Sequence, residues 1–370
     1  MKVVFVGHLG EVSGAGMALL QWAALCQKNG WECCAALPQG PIHERALELG
    51  VRTVIYPLVR MNFSLGSGLT YYRKRKAAYF FLLDWLRKEE PHWAIVHSSA
   101  NVLAGAAIRA AGIRCMWHIH EEFEGNGGVR LQFKRREILR AADCLAFASE
   151  SGMGSFDPPD TIPCAVLRNP VDNLSGLLAL NREPTSPPQI LFNGISHRKG
   201  TDRFLVGLEN LVERHRDLEW QAVILGKIDS ADIYHQMITA QAKLLNDRVR
   251  FAGLVSSDAM ERYFTESNVA VSASRIESLP IFLVEAMAAG VPVIATATGD
   301  CAKLLRGGQL GTLITSGENA TAELANAIYT ALYLADSHSE LAREAISTDY
   351  EKTQIFRSCN DLLKHLPSVM

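Results

Sequence analysis

Two glutamates in the C-terminal half have the spacing and the setting of a ligand site. Glu277 and Glu285 lie eight residues apart, in a stretch that reads strand, loop, helix and strand. Pro280 suits the first turn of this helix, and Gly290 suits its end. Glu277 would then lie at the positive helix N-terminus, where backbone N–H groups could receive a diphosphate. A carboxylate accepts two hydrogen bonds at once, so both side chains match a vicinal diol of a sugar ring or a ribose.

Parallel sheets are predicted to position these residues, because short β-branched runs alternate with helical patterns in both halves. The predicted strands are 2–7, 31–37, 51–56, 92–97, 113–119 and 143–148, then 189–194, 219–226, 248–253, 268–273 and 291–296. Ligands bind beyond the carboxyl ends of the strands in such sheets. Two facing sheets would therefore place a site in the cleft between them.

A turn-rich segment divides this alternation. The predicted organisation is an N-terminal Rossmann-like domain at 1–172, a linker at 173–188, a C-terminal Rossmann-like domain at 189–345 and a C-terminal helix at 346–370. No strand follows the last helix, and the N-terminal domain is one surface on which it could pack. The predicted fold class is α/β, with two Rossmann-like domains.

Composition argues against several classes of protein. The 370 residues carry a net charge of -2, so no bulk positive field favours nucleic acid as a partner. No apolar run reaches the roughly 18 residues of a transmembrane helix, and the run after Lys2 is too short for a signal peptide. The eight cysteines include no CxxC pair, which favours reduced core cysteines. We expect a cytoplasmic protein, peripheral to the inner face of a membrane at most.

The stretch around the two glutamates resembles the E-x7-E signature of retaining glycosyltransferases of family 4. Residues 279–280 and 285–294 stand in register with that signature, which makes the match specific. The family has the GT-B architecture, in which two Rossmann-like domains face each other across a cleft. The resemblance implies that Glu277 faces the donor sugar and phosphates, and that Glu285 binds the ribose hydroxyls. A helix-capping Glu277 and a solvated Glu285 are the alternative. The remaining residues of the implied donor-binding loop are Ser278, Leu279 and Pro280.

The turn at 193–200 is similar to the family's glycine-then-Lys-Gly motif, which implies that Lys199 binds the diphosphate. Ile195 stands where family members usually have an arginine, and Arg198 is a candidate for the second positive charge. The phosphates would repel Glu277 unless cations compensate, and a cation on a leaving diphosphate lowers the barrier to bond cleavage. Ordinary exposed residues are the alternative for both cations.

A second departure from the family pattern follows Thr296. Residues 299–303 read Gly-Asp-Cys-Ala-Lys, where the family usually has a glycine pair and a glutamate. This loop is expected near the donor, so donor preference cannot be carried over, and Lys303 has no implied role.

The N-terminal half contains further candidates. The glycine-rich turn at 7–16 lacks the fingerprint G-x-G-x-x-G, which counts against a dehydrogenase. The resemblance implies that Gly14 and Gly16 bring the backbone close to the donor, with a plain tight turn as the alternative. Strand alternation points His118 and His120 the same way, and similar family segments place a histidine like His120 near the reacting sugar. A structural histidine is the alternative, and a metal site would need a third ligand that the sequence does not identify.

The implied activity is transfer of a sugar, with retained configuration, from a UDP- or GDP-linked donor to a glycan or lipid-phosphate-linked acceptor in polysaccharide or glycolipid biosynthesis. Its implied catalytic residues are Glu277, Lys199 and His120. Glu277 would position the sugar, while the leaving phosphate takes the acceptor proton. The resemblance implies no metal and no cofactor, because the nucleotide sugar is a substrate. The rival interpretations are a non-catalytic nucleotide-sugar binder of the same fold, a phosphorylase and an epimerase.

Two segments combine basic and aromatic residues, at 60–88 and 130–140. Such segments suit an anionic membrane surface or a lipid-phosphate acceptor, with solvated helix faces as the alternative. Neither segment matches a nucleic-acid-binding module, which further disfavours nucleic acid as a partner.

Overall fold

Consecutive burial shows why the apolar runs fold as parallel strands. Residues Val3, Val4, Phe5 and Val6 are all fully buried. A strand buries every residue in a row only when helices cover both faces of its sheet. The computed structural model describes residues 1–58, 68–123, 128–333 and 338–364. The chain divides into two units, the first of Met1–Pro170 with Lys352–Met370 and the second of Val171–Glu351.

The first unit is a parallel sheet with helices between the strands. Its strands are β1 (Lys2–Val6), β2 (Glu32–Leu37), β3 (Arg52–Ile55), β4 (Trp93–His97), β5 (Arg114–Ile119), β6 (Cys144–Phe147) and β7 (Cys164–Val166). The intervening helices are α1 (Gly14–Lys28), α2 (Ile42–Glu48), α3 (Gly68–Glu89), α4 (Val102–Ala111), α5 (Gly128–Ala141) and α6 (Glu150–Phe156). Among the described residues, the strand order is β3-β2-β1-β4-β5-β6-β7. Chain order reverses beside β1, as it does in Rossmann folds.

The second unit repeats this plan. Its strands are β8 (Gln189–Asn193), β9 (Gln221–Leu225), β10 (Val249–Gly253), β11 (Val269–Ser272), β12 (Val293–Thr296) and β13 (Thr312–Ile314). Its helices are α7 (Leu174–Leu178), α8 (Thr201–Arg214), α9 (Ile233–Lys243), α10 (Ser257–Glu266), α11 (Ile281–Ala288), α12 (Cys301–Leu304), α13 (Ala320–Tyr333) and α14 (Ser339–Asp349). In the described part of this unit the parallel order is β10-β9-β8-β11-β12-β13. The predicted α/β class with two Rossmann-like units is confirmed.

The chain ends in helix α15 (Lys352–Lys364), which belongs to the first unit. Its Phe356 ring lies 5.0 Å from the ring of Trp31, edge to face. Helix α15 therefore packs on the N-terminal domain, the placement that the sequence left open.

Several boundaries differ from those predicted. The linker predicted at 173–188 contains α7, which packs against α11 and α14. The C-terminal helix predicted at 346–370 is two helices, because Tyr350 leaves the helical conformation and is 2% exposed. Residues 365–370 lie outside the described residues. The short strands β7 and β13 are absent from the predicted set.

Candidate active site

In the second unit, two neighbouring strands carry the predicted cation and the predicted carboxylate. Strand β8 leads into a segment that we call the basic turn (193–200), and β11, its hydrogen-bonded neighbour, leads into the donor loop (273–280). The Lys199 ammonium forms a short ion pair with the Glu277 carboxylate. Arg198 Nη1 lies 3.4 Å from Glu277 Oε2 and donates to the Ile276 carbonyl at 3.1 Å. The structure thus brings together the three charged residues that the sequence placed around a diphosphate.

Two glycines allow the loops to approach this closely. Gly200 has a φ of +72°, and a Cβ there would lie 2.0 Å from the Ala273 carbonyl oxygen. Gly299 has a φ of +52°, and a Cβ there would lie 1.8 Å from the Glu277 carbonyl oxygen. Side chains are disfavoured at both positions on conformation and on space. A backbone hydrogen bond from Asp300 N to Ser278 O, 2.9 Å long, holds the second contact.

The accessibility of these charges suits a bound anion. The Glu277 side chain is 11% exposed and that of Lys199 is 25%, whereas Arg198 is 53% exposed. Two cations face one carboxylate, so the group carries a net positive charge. A diphosphate could share both cations without leaving Glu277 unpaired.

The rest of the donor loop leads into α11. Pro280 is the N-cap residue, one position before the predicted first turn, and its carbonyl accepts from Leu283 N at 2.9 Å. Gly290 follows the helix end with a φ of +70°, as predicted. Ser278 and Pro280 are buried, and Leu279 is partly buried.

Glu285 is the partly buried carboxyl group of an otherwise apolar helix. Burial, and then the negative charge of Asp172, raise the pKa of Glu285 to about 7. A hydroxyl donor or another polar ligand would restore some of the solvation that this carboxylate loses. Sequence reasoning missed Asp172, which stands at the predicted domain boundary without any motif.

The first unit has a different polar edge, made of three histidines that we call the imidazole cluster: His97, His118 and His120. His97 ends β4 and is the cross-strand neighbour of His118 on β5. One ring nitrogen from each histidine lies within 4.8 Å of those of the other two. His97 is the third imidazole that the sequence did not identify. The only available signal was its position at the end of a predicted strand.

Hydrogen-bond chemistry fixes the proton positions of the cluster. The Trp22 indole can only donate, and its Nε1 lies 3.3 Å from Asn169 Oδ1. Asn169 therefore donates through Nδ2 to His120 Nδ1, at 3.3 Å. His120 must then carry its proton on Nε2, which donates to His97 Nδ1 at 3.0 Å. His118 donates from Nε2 to the Leu167 carbonyl at 3.1 Å.

These protons leave little room for a metal ion or for direct contact with a sugar. Both ring nitrogens of His120 are already bonded inside their own unit. Metal ligation would require a lone pair on its Nε2, and hence the loss of the Asn169 bond. Within the described residues, His97 Nε2 is buried without a hydrogen-bond partner. Sequence alternation correctly placed His118 and His120 together.

The imidazole cluster is also uncharged at neutral pH. Burial lowers the pKa of His120 to about 4, against the raising effect of Glu121, and His8 lowers it further. Burial and the neighbouring imidazoles hold the pKa of His97 and of His118 well below the usual range. This edge of the first unit thus offers neutral hydrogen-bonding groups.

The two glycines predicted to approach the donor begin helix α1. The Gly16 N–H donates to the N-cap Ser13 Oγ at 3.3 Å, so it is already engaged. A Cβ on Gly14 would meet nothing within 4 Å, which leaves open space beside this residue. The structure therefore favours Gly14 over Gly16 as a position that a ligand could approach.

The departures from the family pattern have separate surroundings. Ile195 packs against the core of the second unit, and its Cγ1 would lie 3.1 Å from a Cβ on Gly226. It cannot supply charge, so the exposed Arg198 is the second cation in the basic turn. Lys303 is exposed on α12.

Helices α3 and α5 carry the basic and aromatic segments, and both pack against α4. Phe80 is 53% exposed and Phe133 is 48% exposed, with Lys76 and Arg136 over their respective rings. Arg60 and the side chain of Arg130 lie outside the described residues. No helix in the described ranges is long and apolar enough to span a bilayer.

Solved structures share this fold over nearly the whole chain. Anabaena HepE in complex with UDP-glucose is 18% identical and matches with a TM-score of 0.80, over 99% of this chain and 100% of that chain. Sucrose-phosphate synthase from Thermosynechococcus elongatus is 17% identical with a TM-score of 0.74, over 99% of each chain. At such identities the likeness establishes the fold alone. The protein has the GT-B fold.

Sequence comparison agrees with this fold. Residues 187–333 match the family model described as "Glycosyl transferases group 1", in line with the resemblance found in the sequence. The lipopolysaccharide core biosynthesis mannosyltransferase LpcC of Rhizobium leguminosarum bv. viciae is 28% identical over 163 residues, 43% of this chain and 45% of that protein. The phosphatidyl-myo-inositol mannosyltransferase of Mycobacterium leprae is 34% identical over 166 residues, 44% of this chain and 42% of that protein. The chain thus spans less than half the length of either relative.

Proposed function

We propose that this chain transfers a sugar from a UDP- or GDP-linked donor to a glycan or lipid-linked acceptor, with retention of configuration and without a metal ion. The observation that carries the proposal is the grouping of Lys199, Arg198 and Glu277 at adjoining strand ends. The group 1 family match and the sugar transfer named in both mannosyltransferase relatives support it. HepE, which shares the fold, is itself described in complex with UDP-glucose.

In the proposed reaction, the bond between the anomeric carbon and the β-phosphate oxygen breaks while the acceptor oxygen bonds to the same face of that carbon. The departing diphosphate takes the acceptor proton. Lys199 stabilises the negative charge that develops on the diphosphate, and Arg198 adds a second, more exposed cation. Glu277 positions the sugar, and Glu285 binds the ribose hydroxyls.

Gly14, Gly16 and His120 of the first unit are proposed as further donor contacts. For His120, a bond to a sugar hydroxyl would have to replace one of its present bonds to Asn169 or His97. Exchange of equivalent hydrogen bonds has a small net free energy, so this replacement is chemically acceptable.

The acceptor is proposed to be presented at an anionic membrane. Exposed aromatic rings beside cations on α3 and α5 are the supporting observation. Such side chains bury at the headgroup boundary while their charges pair with lipid phosphates. Flotation with vesicles of phosphatidylglycerol and phosphatidylcholine, at low salt, tests this part separately. Equal flotation with phosphatidylcholine alone, or none with either, would contradict it.

The central experiment offers the purified chain UDP-, GDP- and ADP-sugars, with and without a lipid-phosphate acceptor, while nucleotide release is measured. We expect one donor to be consumed, in EDTA as well as without it, and Glu277→Ala and Lys199→Ala to reduce release strongly. NMR of the product reports the anomeric configuration. Arg262→Ala is the control, because Arg262 forms an ion pair with Glu266 on the exposed surface of α10.

The outcomes separate the rival functions. Consumption of no donor overturns sugar transfer, and nucleotide binding without turnover indicates a non-catalytic binder. Turnover that needs inorganic phosphate and no nucleotide indicates a phosphorylase. Unchanged turnover in both site variants means that the site lies elsewhere.

A further inference from the structure

A second ion pair, between Arg275 and Asp202, lies next to the loops that carry Lys199 and Glu277. Arg275, in the donor loop, forms a two-bonded ion pair with Asp202 in the first turn of α8, with Nη1–Oδ1 at 2.7 Å and Nη2–Oδ2 at 2.5 Å. The same Nη1 donates to the His197 carbonyl at 2.8 Å, and the Arg275 backbone N–H donates to the Arg198 carbonyl at 2.8 Å. Arg275 therefore joins the donor loop to the basic turn by both its side chain and its backbone.

A third element supports this connection. Tyr234 on α9 donates its hydroxyl to Asp202 Oδ1 at 2.9 Å and accepts from the Asp202 backbone N–H at 3.3 Å. The Arg275 and Asp202 side chains are 23% and 22% exposed, so the pair is partly shielded from solvent. Burial opposes ionisation of Asp202, but the bonds from Arg275 and Tyr234 outweigh it and lower its pKa. Bidentate pairing of this kind fixes direction as well as distance.

The location of these bonds indicates what they position. Lys199 and Glu277 lie on two different loops, and neither belongs to a helix or a strand. Arg275 is two residues from Glu277, while its acceptors at 197, 198 and 202 surround Lys199 on both sides. Because Asp202 neutralises Arg275, the positive charge that remains for a diphosphate comes from Lys199 and Arg198.

We infer that Arg275, Asp202 and Tyr234 form a clamp that positions Lys199 and Glu277 for the diphosphate of the donor. The inference rests on the proposed function and deepens it. Arg275 and Asp202 are positioning residues that touch no ligand. A shift of about 1 Å between two ligand-binding groups can reduce function about 100-fold, which sets the scale of the effect.

The test compares binding of UDP and of UMP, and of GDP and GMP, by calorimetry on folded protein, together with the unfolding temperature. We expect Arg275→Met to weaken diphosphate binding about 10- to 100-fold and monophosphate binding far less, because the clamp serves the diphosphate group. Asp202→Asn should act in the same direction. Arg275→Lys should recover only part of the loss, since an ammonium cannot form the paired bonds of a guanidinium.

Arg182→Met is the matched control. Arg182 donates to the Gly290 carbonyl at 2.8 Å and to the Ser267 carbonyl at 2.6 Å. These two acceptors precede β12 and β11, so they lie at the amino ends of the strands, whereas the donor loop follows the carboxyl end of β11. It should lower the unfolding temperature without changing the preference for diphosphate over monophosphate. The double variant Asp202→Asn/Arg275→Met should bind about as weakly as Arg275→Met alone, because the two residues act as one unit.

The results distinguish the clamp from the proposed function. If the wild-type chain binds neither UDP nor GDP, the proposed function is wrong and the clamp fails with it. If the wild type binds one of them and Arg275→Met binds it equally well, only the clamp is overturned. An equal loss for the monophosphate, or the same loss in Arg182→Met, also overturns it, because either would indicate general destabilisation.

Discussion

The two units share a strand order, but the polar side chains near their strand ends differ in charge. The second unit holds ions at its strand ends, with Lys199, Arg198 and Glu277 in one group and Arg275 with Asp202 behind it. The first unit holds three neutral imidazoles, of which His97 and His118 are buried and His97 and His120 share a hydrogen bond. The same scaffold therefore supports two chemistries, decided by a few residues at or near the strand ends.

Under the proposed function, the two edges would serve different parts of the donor. The fixed positive charge of the second unit would bind the diphosphate. His120 of the first unit would bond to a sugar hydroxyl only by replacing one of its present hydrogen bonds. A change of residue or of pH that acts on one of these edges should leave the other edge unaffected.

The largest expected effect follows from removing the cation of the second unit. Lys199→Met should lower kcat/KM for the donor about 100- to 1,000-fold, the scale for losing one group that stabilises developing charge. The measurement is nucleotide release at subsaturating donor concentration. Arg262→Met, which removes a surface cation of the same unit, should change kcat/KM less than twofold. A small effect of Lys199→Met would mean that Arg198 alone serves the diphosphate.

Acid should destabilise the first unit selectively. His120 has a pKa of about 4 in the folded chain, against 6.5 when unfolded, so the unfolded state binds more protons in this interval. The contribution of His120 to the free energy of unfolding is therefore fully present above pH 6.5. It falls by roughly 3 kcal/mol at most as the pH drops towards 4. Hydrogen exchange of β5 peptides between pH 7 and pH 5 measures this loss. His120→Gln should reduce the pH dependence of exchange in β5, while His97 and His118 keep the remainder, and an unchanged dependence would contradict the neutral cluster.

Alkali should act on the second unit in the opposite direction. Glu285 has a pKa of about 7 in the folded chain against 4.5 when unfolded, so the folded state binds more protons between these values. The contribution of Glu285 to the free energy of unfolding is present below pH 4.5 and is lost as the pH rises through 7. The loss is at most about 3 kcal/mol, and solvent screening makes it smaller. Exchange of α11 peptides should therefore be faster at pH 8 than at pH 6, after correction for intrinsic rates. Glu285→Gln should remove this difference, and it should leave the β5 peptides unchanged.

The sequence alone predicted most of the fold, because apolar runs that are buried on both sides leave a strong signal. The eleven predicted strands all appear, whereas β7 and β13 are short edge strands of three residues each with mainly half-exposed side chains. Their pattern is too weak to distinguish from a loop. The break at Tyr350 was missed for a related reason, since it depends on where one aromatic ring is buried.

The site was predictable where residues share a loop and less so where strands meet. Glu277 and the basic turn came from motifs, and the structure brings them together. Other contacts join residues that are far apart in the sequence. His97 and His118 are separated by 21 residues, and Asp172 and Glu285 by 113, with the Arg275–Asp202 pair between these extremes. No local pattern marks such partners, because strand order and side-chain burial determine them.

The smallest effect on activity is expected from a substitution at Asn169. This substitution tests the proton positions in the imidazole cluster. Asn169→Asp keeps an acceptor for the Trp22 indole but removes the N–H that reaches His120. His120 should then move its proton to Nδ1 and donate to the new carboxylate, which leaves a lone pair on Nε2. We expect the two-bond ¹⁵N–¹H correlation of His120 to change from the Nε2-protonated to the Nδ1-protonated tautomer, and its pKa to rise. The variant should also gain affinity for Co²⁺, since three imidazole lone pairs could then converge.

Asn169→Leu is the control, because it removes the bond without supplying an acceptor. If wild type and Asn169→Asp show the same tautomer, or if wild type already binds Co²⁺ as tightly, the hydrogen-bonded order of the imidazole cluster is wrong.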